Sequence, residues 1–137
     1  MKALDVALHA KISGTSSITS LLAAGSASVF YGEAEENALH PLVTYSEISD
    51  IASYTFGTRG WTDCIYQVQA ITEGPSFALA KQIRDAIDAA LSDASLTVSG
   101  YGERLLLQRE GSNTFPETFE GRRFNHAGHD FRIWVSG

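Results

Sequence analysis

Cysteine is nearly missing from this chain: Cys64 is the single one. One thiol can form neither an intrachain disulfide nor a thiolate metal cluster, and within an apolar stretch it reads as a small core residue. Positive charge is the next shortage. Ten lysines and arginines face sixteen acidic residues, a formal charge of -6. Only Arg122 and Arg123 are adjacent. Phosphate affinity comes from clustered cations that release counterions, so a nucleic-acid-coating role is disfavoured. A neutral or acidic surface equally suits a protein that DNA must pass without sticking, and charge alone does not choose. No apolar run approaches the roughly 20 residues of a membrane helix. The opening MKALDVALHAKISG breaks its apolar positions with Asp5, His9 and Lys11, so no secretory signal is expected and synthesis should be cytosolic.

Catalytic signatures are missing too. There is no GxSxG elbow, no GxGxxG and no GK[ST] loop, and Gly57, Gly60, Gly100 and Gly102 read as turn residues. His126 and His129 form the only clustered imidazoles, but three positions apart on a strand they face opposite sides and cannot easily share a metal. Glu33, Glu35 and Glu36 read as a solvated acidic run, not as a fixed carboxylate pair. The hydroxyls of Ser13 to Ser20 sit at helix ends, where they serve the backbone. Tyr54, Phe56, Trp61 and Tyr101 lack the interleaved cations of a base-stacking surface. No catalytic centre, cofactor or metal is expected.

What is present is an ordered alternation of elements in 137 residues, 44% of them hydrophobic, which suits one domain over 1–137. Leu4, Leu8 and Ile12 mark a first amphipathic helix ending at Gly14, and Ile18, Leu21 and Leu22 mark a second short one capped by Thr15 or Ser16. Val29 to Tyr31 is a brief strand, Gly32 to Asn37 an acidic loop, and Leu42 to Ile48 a strand. Cys64 to Thr72 alternates, with Cys64, Tyr66, Val68 and Ala70 on one face. The spacing of Leu79, Ile83, Ile87 and Leu91 predicts a helix over Pro75 to Leu91 that covers a sheet face, with Lys81, Arg84, Asp85 and Asp88 outward, where Lys81 can pair with Asp85 and Arg84 with Asp88. Leu96 to Val98 and Leu105 to Arg109 add short strands. Arg123 to Val135 sets His129, Phe131, Ile133 and Val135 against Asp130, Arg132 and Trp134. The fold class expected is α+β: a single mixed, mainly antiparallel β-sheet with helices packed on one face.

Two stretches read as long loops. Ser49 to Gly60 carries Ile51, Tyr54, Phe56 and Arg59 before Trp61, and Gly111 to Gly121 carries Phe115 and Phe119. Long ordered loops tend to be functional. The apolar tips serve either partner contact or packing on the core, and the residues leave both open. Tyr54, Phe56, Arg59, Trp61, Phe115 and Phe119 are the candidate contact residues.

In this order the chain resembles the tail terminator, or tail completion, proteins of long-tailed bacteriophages and gene transfer agents. The resemblance rests on the helical opening with Leu4, Leu8 and Ile12, "SSITSLLAAG" (16–25), "VFYG" (29–32), "HPLVTYSEI" (40–48), "YQVQAIT" (66–72), "FALAKQIRDAIDAAL" (77–91) and "HDFRIWV" (129–135). It implies a structural virion protein that forms a homo-oligomeric, six-fold ring at the head-proximal end of the tail tube. Such a ring stops polymerisation of the tube protein, offers a docking face to the head-tail connector or stopper protein, and lets DNA through without specific binding. No enzyme activity, cofactor or membrane is implied. Another head-tail connector ring is the nearest alternative, and a small-ligand-binding α+β module a more distant one.

Overall fold

The computed structural model describes residues 2–55, 58–92, 96–100 and 105–136, and does not extend to the side chains of 53–55, 58, 59 and 105. The chain forms α1 (Lys2–Ser13), α2 (Ser16–Thr19), a 3-10 turn at Gly25–Ser28, β1 (Val29–Tyr31), β2 (Leu42–Thr55), β3 (Thr58–Glu73), α3 (Ala78–Leu91), β4 (Leu105–Phe119) and β5 (Arg122–Ser136). The strands make one sheet in the order β1-β2-β3-β5-β4. Only β1 and β2 run parallel; β2–β3, β3–β5 and β5–β4 are antiparallel. This is the mixed, mainly antiparallel α+β sheet expected.

The period-2 alternation of β3 and β5 places the core. Cys64, Tyr66, Val68 and Ala70 on β3 and Phe131, Ile133 and Val135 on β5 are fully buried. They form one cluster with Leu4, Leu8 and Ile12 of α1, Ile18 of α2 and Ile83, Ile87 and Leu91 of α3. The helices therefore cover one face of the sheet. Each fully buried Leu or Ile contributes roughly 1.5 to 3 kcal/mol of transfer free energy. A polar tie joins the layers: the Tyr66 hydroxyl donates to Asp5 of α1. The hydroxyls around Gly14 serve the backbone as expected, but they finish α1 and do not cap α2. Ser13 Oγ donates to the His9 carbonyl and Thr15 Oγ1 to that of Lys11, each at 2.6 Å.

Four local expectations are corrected. α3 begins at Ala78 and not Pro75, and its buried stripe starts at Ala80, leaving Leu79 37% exposed. Asp88 pairs with Arg109 of β4 at 3.0 Å and with Ser92, not with Arg84. The segment 96–98 is not a strand, although Val98 is buried. Above all, neither long loop is a loop. Most of Ser49 to Gly60 continues β2 and β3 into a long hairpin, and Gly111 to Phe119 belongs to β4, closed by a turn at Glu120 and Gly121 with φ of 51° and 76°. Among the described residues, 49–55, 58–59 and 111–119 have backbone partners, which a loop would lack.

Each of these hairpins also carries an extra residue on its outer strand, and the β2–β3 hairpin has a second register shift between Ser53 and Tyr54. The register of β2 on β3 shifts between Glu47 and Ser49, and that of β4 on β5 between Arg109 and Gly111. Glu47 and Arg109 stand at the same level of the sheet, through Tyr66 and Phe131. Bulges bend a strand and increase its twist, so both margins turn at one height.

Candidate functional site

Strand pairing separates the candidate residues. Trp61 lies opposite Ser136, at the end of the sheet where the β2–β3 hairpin projects. Phe115 and Phe119 lie opposite His126 and Arg122, at the other end beside the β4–β5 turn. Twelve strand positions separate Trp61 from Glu73, about 40 Å at 3.3 Å per residue. The backbones of Tyr54 and Arg59 pair across the β2–β3 hairpin, close to Trp61. Phe56 falls outside the described residues. The five described candidates thus fall into two groups at opposite ends, not one site.

At the hairpin end, Trp61 is 39% exposed. On the same face, Trp134 lies under the Arg132 guanidinium, whose central carbon is 4.7 Å from the ring centroid. Asp63 accepts from Arg132 Nη2 at 2.6 Å, and Glu110 accepts from Nη1 at 3.3 Å. That hydrogen-bonded guanidinium holds the Asp63 carboxyl below its ordinary range. Trp134 is a further contact candidate, which alternation alone places only on a strand face. Its signal was a large aromatic in the solvent-facing phase.

At the turn end, Phe115 stacks on His126 with ring centroids 4.3 Å apart, and His126 Nε2 shares a 2.6 Å hydrogen bond with Glu117. Phe119 is 60% exposed. His40 packs on Phe124 at 4.8 Å, and burial lowers its pKa. Arg122 grips Glu73 through two hydrogen bonds of 2.8 and 2.6 Å. His40, Ile71, Phe119, Phe124 and His126 line a shallow groove here. Its members come from four separate stretches of chain, so no local motif announces it.

Between the ends, the helix-free face is polar. Gln69 extends across Gly128 and donates to Asn113 Oδ1 at 3.4 Å, spanning three strands. The two clustered histidines fall on opposite faces: His126 with Glu117 on the bare face, His129 on the helix side within 2.8 Å of Ser112 Oγ. They do not meet on one ion. One donor group does come together, where Glu47, Asp50 and Cys64 place ligand atoms within 4.8 Å of one another. Burial, reinforced by Asp50 and Glu47, pushes the Cys64 thiol up to about 12, so it stays protonated and inert at neutral pH.

The molecule is a small α+β plate with aromatic groups at both ends and a helix layer on one side. The chain belongs to the family of tail completion protein gp17, whose model matches residues 6–136. It is a structural protein of a bacteriophage tail. Among solved structures, a chain in the virion of a native gene transfer agent particle is 20% identical, with a TM-score of 0.81 over 99% of this chain and 96% of that one. A second solved chain is 12% identical, with a TM-score of 0.62 over 99% of this chain and 94% of that one. These likenesses carry the fold. No curated protein matches the sequence.

Proposed function

We propose that the chain is a tail terminator. Copies close into a six-fold ring on the head-proximal end of the tail tube, stop its polymerisation, and present a second face to the head-tail connector or stopper protein. The observation that supports this reading is the division of surface aromatics between opposite ends of one sheet, exposed Trp61 beside half-buried Trp134 at one end and exposed Phe115 and Phe119 at the other. A terminator must meet two different partners along one axis, and aromatic anchors carry much of the energy of such contacts. Catalysis is not required of it. The net charge of -6 suits a channel wall that DNA passes without binding.

The ends are separable by mutation. In a producing strain, Trp61→Ala and Phe119→Ala should each leave a folded protein. One of them should yield tails of irregular, extended length, and the other should yield tails of normal length that fail to join heads. Tail lengths measured by negative-stain microscopy check this. Normal, joined tails from both variants would refute the assignment, and localisation of the protein at the portal instead of the tube end would favour another connector ring.

A further inference from the structure

The margins of the sheet carry an assembly code of their own. β1 pairs with β2 only from Val43 to Tyr45, and past Tyr45 no described strand flanks β2 on its outer side. At the opposite margin β4 pairs with β5 alone. Open edge strands with apolar side chains recruit another chain unless they are blunted. β4 is blunted only in part, since its bulge and Pro116 disturb the strand between Glu110 and the turn and leave Leu105–Arg109 regular. The apolar side chains on both margins are exposed: Ile51 at 61% on β2 and Leu106 at 42% on β4, both on the helix-free face. On the other face, Arg109 of β4 opposes in sign Glu47 and Asp50 of β2.

Strand direction decides how the margins can meet. Three successive antiparallel steps make β4 run opposite to β2. Copies related by rotation about an axis along the strands keep those directions, so β4 of one copy meets β2 of the next antiparallel. The alternation then continues unbroken across the boundary.

We propose that neighbouring copies join edge to edge, with Leu105–Arg109 of one strand added to the outer edge of β2 around Ile51 in the next copy. The contact deepens the ring reading and rests on it. It uses two different edges, so it is heterologous and closes when its rotation divides the circle. With six copies, four long strands each, strand spacing near 4.8 Å and a tilt of about 40°, the backbone diameter comes to ~48 Å. With the helices outside, the bare face lines an open bore.

Cysteine pairs in assembled particles test this. One cysteine replaces Ile48, Ser49 or Ile51, and the other replaces Leu106 or Gln108; buried Cys64 is left in place. After mild oxidation, at least one double variant should give a ladder of covalent multimers on a non-reducing denaturing gel, ending in a closed species. Every single-cysteine variant should run as a monomer. Dimers from a single variant would mean that like edges meet, which overturns the proposal. Particles with a ring visible by microscopy but no ladder from any pair would overturn the edge contact and leave the ring standing, whereas particles with no ring of this chain would overturn both.

Discussion

At Gly128 the last strand has no room for a methyl group. A Cβ there would lie 2.5 Å from the Val68 carbonyl oxygen and 2.7 Å from Gln69 Cγ. Gln69 crosses the strand over this gap to reach Asn113. Gly128→Ala should therefore cost about 1 to 3 kcal/mol, measured by urea denaturation, as overpacking does. Adding Gln69→Ala should recover only part of that, because the Val68 contact is backbone. A second effect at this scale is pH dependence. Burial is the main cause that holds both His40 and His129 below their ordinary value of 6.5. The unfolded chain then binds protons that the folded chain refuses, so stability rises with pH through this window and falls on acidification below about 6.5. Melting temperatures should be level above pH ~7.5 and drop between pH ~7 and ~5.5. His40→Phe should flatten that slope.

Among the elements, α3 was the most legible, because a 3.6-residue apolar period on a charged background has one reading. It starts three residues later than the sequence predicts, since Pro75 and Ser76 form the approach and not the first turn. Leu79 and Ile83 now separate the two placements. Ile83→Asp should abolish folding, at a cost above about 4 kcal/mol, by driving a carboxylate into the core. Leu79→Asp should shift the melt by no more than about 0.5 kcal/mol. Circular dichroism melts of both variants check this. The hairpins were illegible for a physical reason. Beyond the helix layer a strand has no buried face, so Gly111 to Phe119 is exposed or half-exposed throughout and shows no alternation to detect. Pro116 and Gly111 then argued for a loop, whereas an edge strand tolerates both. β3 and β5 lie in the middle of the sheet, and their alternation was read correctly from Cys64 to Ala70 and from His129 to Val135.

For the whole molecule, the class of fold followed from the order of elements, but the arrangement of the candidate site did not. Nothing local to Trp61 or Phe119 states that they end up at opposite ends; that follows from β5 running back between β3 and β4. Likewise the groove near Phe119 is assembled from His40, Ile71 and Phe124, which only strand pairing brings together. One arrangement on the bare face bears on the bore of the proposed ring. Among the described residues, its cations are Arg132, clasped by Asp63 and Glu110, and Arg122, clasped by Glu73. A guanidinium already neutralised by carboxylates has little charge left with which to neutralise a phosphate and release the polyanion's own counterions. In the proposed ring, a polyanion sliding along this surface would find no foothold, and the same ion pairs that brace the sheet would also keep the wall of the bore lubricated.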